Sequence, residues 1–125
     1  MMMMMAESMT TEMQTCMDAC MECHKMCMEA MTHCMSMFKG GKQMDMNMMS
    51  MMGMMRDCAE MCMMCMNMMM GGSEFMGRTC MLCAEMCNRC AMACEQMSDN
   101  PKMMECAAAC RKCAESCRMM QMMPA

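Results

Sequence analysis

Cysteine residues recur along the chain at steps of three and four residues, in four separate segments. They are Cys16, Cys20, Cys23, Cys27 and Cys34; Cys58, Cys62 and Cys65; Cys80, Cys83, Cys87, Cys90 and Cys94; and Cys106, Cys110, Cys113 and Cys117. Residues three and four apart share one face of an α-helix, so each segment predicts a helix with a cysteine face. In the first segment Asp18, Glu22 and Lys25 lie opposite that face. The cysteine faces are therefore predicted to point inward.

Three breaks separate the four predicted helices: Gly40-Gly41, Gly71-Gly72 and residues 98–101. The helices are predicted at about residues 7–38, 45–70, 74–97 and 101–121. Short connections favour antiparallel neighbours. The predicted fold class is all-α: a single domain over residues 1–125, built as an antiparallel up-down-up-down four-helix bundle with a Cys-lined core.

The residues at the breaks also predict how the helices begin. Asp45, Ser73 and Asn100 are residue types that cap helix N-termini with a side-chain oxygen. Pro101 suits a first helical position, because the amide hydrogen that proline lacks has no partner there.

Composition narrows the fold and the partners. Of 125 residues, 40 are Met and 17 are Cys, and Val, Ile, Tyr and Trp are absent. Strands draw on β-branched and aromatic residues, so a sheet fold is excluded. The net charge is −4. This charge and the lack of an aromatic stacking surface argue against a nucleic-acid partner.

The distribution of apolar residues indicates a location. The richest apolar run covers residues 61–70 and includes Asn67, well short of the roughly 20 residues that span a membrane. Residues 1–5 are apolar but lack the features of a secretory signal. We expect no membrane partner and a cytoplasmic protein.

The inward thiols admit several roles. They could fill a core as small apolar groups. A disulfide framework is disfavoured, because helical neighbours have Cβ atoms about 5–6 Å apart and a disulfide needs about 3.5–4.5 Å. Cys16, Cys20 and Cys23 match the CxxxCxxC pattern of iron–sulfur enzymes. Its repetition on other predicted helices points to helical periodicity instead.

Zinc and copper(I) are the two metal ions that remain as candidates for binding by these thiols. Four thiolates around Zn²⁺ leave a net charge of −2, and the inner faces carry no Lys or Arg to offset it. Thiolates and thioethers select Cu(I), and one Cu⁺ per thiolate gives a neutral core. We therefore predict storage of many Cu(I) ions. The motifs of serine hydrolases, phosphate loops and zinc proteases are absent, so the protein is not predicted to be an enzyme.

Four stretches resemble a known family: CMDACMECHKMC from Cys16, RDCAEMCMMC from Arg56, GRTCMLCAEMCNRCAMAC from Gly77 and ECAAACRKCAESCR from Glu105. They are similar to the cytosolic branch of the bacterial copper storage proteins, over about residues 12–120. The resemblance implies Cu(I) bound by cysteines along the core of a four-helix bundle, no catalysis, and a homotetramer of bundles. It carries the ligand role to all seventeen cysteines.

The chain departs from the family at one mouth of the bundle, where many members place histidine. The candidate thioether ligands at that mouth are Met44, Met48, Met51, Met97 and Met103, and Met104 lies nearby. His24 and His33 flank the cysteine face, so a surface or interface position is favoured over a role as terminal Cu(I) ligands.

The methionine content leaves a second interpretation open. Met stands in the packing positions where family members usually carry Leu, Ile or Val, which suggests deliberate substitution. The alternative function is an engineered methionine-rich protein, or a methionine-core redesign, on a copper storage scaffold with inherited metal binding. Met at outer positions such as Met46 and 122–123 favours this origin for the methionines.

Overall fold

A computed structural model describes residues 11–37 and 45–121 as four helices. They are α1 (Thr11–Ser36), α2 (Met46–Gly71), α3 (Met76–Glu95) and α4 (Pro101–Gln121). The described residues contain no strand. α1 and α3 each pack against both α2 and α4, so the helices stand at the corners of a square. The predicted all-α bundle is confirmed.

Two of the predicted N-caps form as expected. The Asp45 carboxylate accepts a hydrogen bond from the Met48 amide at 2.8 Å. The Asn100 side-chain oxygen accepts from the amides of Lys102 and Met103 at 3.1 and 3.3 Å. Each cap pairs amide hydrogens that have no acceptor inside the first helical turn.

Ser73 does not cap α3, and that prediction is wrong. Gly72 ends α2 in the left-handed conformation, with φ at 64°. The Ser73 amide then bonds back to the Met68 carbonyl at 3.0 Å, a pattern typical of helix C-termini. The Ser73 hydroxyl accepts from the Phe75 amide at 3.0 Å, within a turn that delays α3 until Met76. The connection therefore needs more residues than the glycine pair suggested.

The other connections also differ from the sequence estimate. α3 ends at Glu95, because the Gln96 and Met97 amides bond to carbonyls three residues back, at 3.3 and 3.0 Å, in tight turns. The Gly40-Gly41 break and the predicted helical residues 7–10 lie outside the described residues.

The core consists almost entirely of Cys, Ala and Met. Among the described residues, Thr79 is the one buried polar side chain, at 9% exposure. Alanines alternate with cysteines and keep the helices close; the buried ones are Ala19, Ala30, Ala59, Ala84, Ala91, Ala107 and Ala114. Buried methionines close both ends: Met51, Met55 and Met103 where α2 and α4 begin, and Met13, Met69 and Met120 at the opposite end.

Candidate metal centre

All seventeen cysteines lie inside the bundle. Each has 0% exposed surface, and each is a free thiol. The residues come from all four helices, and the cysteine faces meet at the bundle axis, as the three- and four-residue spacing predicted. We call this set of seventeen side chains the thiol column.

Short Sγ–Sγ contacts connect the thiol column along its length. Between α1 and α4 the contacts are Cys16–Cys117 at 3.7 Å, Cys20–Cys113 at 3.7 Å, Cys23–Cys110 at 3.6 Å and Cys27–Cys106 at 3.8 Å. Between α2 and α3 they are Cys65–Cys80 at 3.4 Å, Cys62–Cys83 at 3.9 Å and Cys58–Cys87 at 3.6 Å. Adjacent helices in the bundle thus place their cysteines at matching heights, both for α1 with α4 and for α2 with α3.

Further contacts join the two sides of the column. Cys23 lies 3.8 Å from Cys58, and Cys62 lies 3.8 Å from Cys113. Several sets of four sulfur atoms lie within 4.8 Å of one another. One of these sets brings Cys90 of α3 together with Cys27 and with two cysteines of α4. A soft metal ion anywhere along the central column would therefore meet several sulfur atoms at once.

The column changes character at the end where α4 begins. Cys34 donates its S–H to the Met103 Sδ atom at 3.8 Å, and both residues are fully buried. Burial, with a contribution from Cys106, raises the pKa of the Cys34 thiol above its ordinary value. The pKa of Cys94 is also raised, and its hydrogen bond with Cys106 is the main cause. These thiols therefore hold their protons until a metal ion displaces them.

The structure brings three of the predicted mouth methionines together. Met48, Met51 and Met97 line one surface cavity of about 480 Å³ beside the start of α2. Met103 is fully buried beneath this end. Met44 lies outside the described residues. Met55 is also fully buried on the inner face of α2, at a position that the spacing from Met51 to Cys58 indicates.

Both histidines lie at helix interfaces, as predicted. The His24 ring is half-buried, and its Nδ1 atom lies 2.8 Å from the Ala59 carbonyl oxygen of α2. The His33 Nε2 atom lies 3.3 Å from the side-chain nitrogen of Asn100. Each imidazole thus connects α1 to a neighbouring segment.

Charged groups stay on the outside of the described bundle. Lys102 pairs with Glu29 at 3.1 Å, and Arg111 pairs with Glu95 at 2.8 Å, so that α4 is linked to α1 and to α3. No Lys, Arg, Asp, Glu or His is buried among the described residues. A negative charge that develops inside the column therefore meets no buried cationic side chain in this part of the chain.

Comparison with known proteins agrees with this geometry. The sequence profile of the copper storage proteins matches residues 9–122. The chain belongs to the copper storage protein family. No curated protein sequence gives a significant match. Within residues 11–37 and 45–121, none of the helices has the length and apolarity that a membrane crossing needs.

Among the solved structures with the same fold, two are described as copper storage proteins. The Cu(I)-bound copper storage protein BsCsp3 is 31% identical, with a TM-score of 0.78, over 89% of this chain and 99% of that one. The apo form of copper storage protein 3 from Bacillus subtilis is 32% identical, with a TM-score of 0.73, over 86% and 97%. The Nmul_A1745 protein of Nitrosospira multiformis is 39% identical, with a TM-score of 0.75, over 88% and 94%.

Proposed function

We propose that this chain stores Cu(I), with many ions bound along the thiol column. One observation carries the proposal: seventeen buried free thiols line the bundle interior and most of them are joined by short sulfur–sulfur contacts, with no buried charged residue among the described residues. The Cu(I)-bound state of BsCsp3, whose fold this chain shares, supports the same conclusion.

Charge and ligand softness favour Cu(I) over harder ions. Cu(I) prefers thiolate and thioether sulfur. When one Cu⁺ replaces one thiol proton, the net charge of the core does not change, so the bundle needs no internal Lys or Arg. Sulfur contacts of 3.6–3.9 Å, such as Cys23–Cys110 and Cys62–Cys83, allow two thiolates to hold one ion. All seventeen cysteines are proposed ligands.

The methionine end is the proposed route for copper. Met48, Met51 and Met97 line the surface cavity at this end, and Cys34 with Met103 forms a mixed thiol and thioether pair just inside it. A thioether is a neutral and weaker ligand than a thiolate, so it can pass an ion inward. Met44 is proposed for the same mouth from its sequence position.

The remaining predictions concern the protein in its cell. We propose a non-catalytic role, a cytoplasmic location in which the thiols stay reduced, one domain over residues 1–125, and a homotetramer of bundles. Met21, Met28 and Met35 give α1 an exposed apolar stripe, with 47%, 45% and 59% of their surface accessible. This stripe is the surface that we propose for assembly. Light scattering of the reduced protein measures the number of chains.

An anaerobic titration tests the storage proposal. The fully reduced, metal-free protein is titrated with Cu(I) against a coloured Cu(I) chelator, while helical circular dichroism is recorded. We expect strong helicity before copper is added, because the bundle already buries its core, and uptake of roughly one ion per thiol. Uptake of only a few ions by a well-folded bundle would contradict storage.

That contrary outcome would favour the methionine-rich scaffold with inherited cysteines. Met81, Met92 and Met119 lie on the surface, at 51–57% exposure, and so cannot serve as ligands inside the column. His24→Ala provides a control for the titration, because it alters an interface imidazole and leaves every thiol in place. We expect it to take up as much copper as the parent protein.

A further inference from the structure

Four cysteines at the middle of the thiol column form a compact cage. Cys23, Cys58, Cys62 and Cys87 have Sγ atoms that all lie within 4.8 Å of one another. The measured edges of this cage are Cys23–Cys58 at 3.8 Å, Cys23–Cys87 at 3.9 Å, Cys58–Cys87 at 3.6 Å and Cys62–Cys87 at 3.8 Å. We call these four residues the central cage.

These edges match a tetrahedral metal site. Thiolates about 2.3 Å from Zn²⁺ at the corners of a tetrahedron have sulfur–sulfur edges of about 3.8 Å. Cu(I) takes two or three sulfur ligands and does not require a closed tetrahedron. We propose that the central cage binds a single Zn²⁺ ion when copper is absent. This metal class goes beyond the Cu(I) storage proposed above.

Neighbouring thiols reduce the charge penalty of such a site. Four thiolates around Zn²⁺ carry a net charge of −2, which the core has no cation to balance. However, Cys110 lies 3.6 Å from Cys23, and Cys113 lies 3.8 Å from Cys62. Cys83 lies 3.9 Å from both Cys62 and Cys87. Cys23 donates to Cys110 in the metal-free column, and it becomes an acceptor once Zn²⁺ displaces its proton. The outer thiols are then close enough to donate S–H hydrogen bonds to the cage thiolates, which favours the ionised form of the cage.

The same argument limits the site to one ion. A second four-sulfur set, Cys62, Cys83, Cys87 and Cys113, shares two ligands with the central cage. Zn²⁺ in this second set would ionise Cys83 and Cys113, which serve the central cage as donors. Two other four-sulfur sets share no ligand with the central cage, but each would ionise one of its outer thiols, Cys83 or Cys110. A second Zn²⁺ should therefore bind more weakly than the first, whereas the neutral exchange of protons for Cu⁺ has no such limit.

Zn²⁺ and Co²⁺ binding to the reduced, copper-free full chain tests the inference. Each metal is added anaerobically in competition with a chelator, and the visible spectrum of Co²⁺ reports its geometry. We expect a stoichiometry of one and the intense visible bands of tetrahedral thiolate Co²⁺. We expect four protons to be released for each Zn²⁺ bound, because the cage ionises fully. No binding, or a pale spectrum of six-coordinate Co²⁺, overturns the proposal.

Two matched variants locate the site. Cys58→Ser removes a cage ligand and should weaken Zn²⁺ binding by more than about 100-fold, since loss of a ligand costs at least as much as loss of a supporting group. Cys90→Ser makes the same change at an equally buried position outside the cage and should bind Zn²⁺ like the parent. Equal binding by Cys58→Ser and the parent, or equal losses in both variants, overturns the assignment.

A Cu(I) titration of the same samples separates this proposal from storage. Cys58→Ser removes one of the seventeen proposed Cu(I) ligands, so its Cu(I) capacity should fall by about one or two ions and no more, whereas its Zn²⁺ site should be lost. A parent protein that takes up copper fully but binds no zinc would overturn the cage and leave storage intact. A parent that binds one Zn²⁺ but little Cu(I) would do the reverse.

Discussion

Cys87 has more sulfur neighbours than the other cysteines of the thiol column, so its replacement tests whether neighbouring thiolates share Cu(I) ions. Its Sγ atom has four thiol neighbours: Cys58 at 3.6 Å, Cys62 at 3.8 Å, and Cys23 and Cys83 at 3.9 Å. Cys87→Ser keeps the shape of the side chain but replaces a soft sulfur ligand with a hard oxygen that Cu(I) disfavours.

The structure sets the size of both effects. If thiolates bridge neighbouring ions, removal of Cys87 lowers the capacity by about one or two Cu(I) ions, because the ions it shares lose a ligand. Burial of the new hydroxyl costs about 1–3 kcal/mol in the absence of a partner. The surrounding thiols offer weak hydrogen bonds, so we expect a loss of about 1 kcal/mol in the free energy of unfolding of the apo protein. The bundle should remain folded.

The assay combines anaerobic Cu(I) titration with urea unfolding followed by circular dichroism. Cys16→Ser is the matched control. Cys16 is equally buried but lies at the end of the column, where it contacts Cys117 at 3.7 Å. We expect it to lose less copper than Cys87→Ser. If both variants bind as much copper as the parent, with unchanged affinity, the bridging column is refuted.

Three further predictions concern the end of the column and the packing around it. Met103→Leu conserves volume, so the free energy of unfolding should fall by less than about 1.5 kcal/mol. The Cu(I) bound beside Cys34 should exchange faster with a chelator, because it loses a thioether ligand. Met69→Leu, at the opposite end, should leave that exchange unchanged. The pKa of Cys34 is raised in the folded protein, so folding favours its neutral thiol. This contribution to apo stability is fully present below pH 9.0 and is lost as the pH rises through the raised pKa. Urea unfolding midpoints measured across that range should fall for the parent and fall less for Cys34→Ala. Ala91→Leu overpacks a fully buried site between helices and should cost about 1–3 kcal/mol in urea unfolding, whereas Ala108→Leu on the exposed face of α4 should cost almost nothing.

The cysteine positions could be predicted because they follow a single geometric rule. Residues such as Cys106, Cys110 and Cys113 fall on one helical face whatever surrounds the helix. Because thiols are apolar and the opposite face is charged, the thiol face is the one that is buried. The same rule places Met51 and Met55, both buried, on the inner face of α2. Helical periodicity therefore supplied both the fold class and the members of the candidate site.

The pairing of the sulfur atoms could not be predicted in the same way. The Cys65–Cys80 contact at 3.4 Å and the Cys34–Met103 contact at 3.8 Å depend on the axial offset between helices. That offset is set by the connections, and the prediction for the connection after α2 was wrong. Ser73 looked like a helix cap, but the left-handed Gly72 and a following turn moved the start of α3 to Met76. Spacing along one helix carries no record of these offsets.

Charge balance decides what a column of thiols can hold. A core without cations accepts a +1 ion at every thiolate, because each Cu⁺ replaces one proton and leaves the charge of the interior unchanged. It accepts a +2 ion only where four thiolates can share the remaining negative charge with protonated neighbours. Cys83, Cys110 and Cys113 lie close enough to the central cage to provide such neighbours, which is why we propose the Zn²⁺ site there. The high capacity for Cu(I) and the single tight site proposed for Zn²⁺ therefore rest on the same absence of buried Lys and Arg among the described residues.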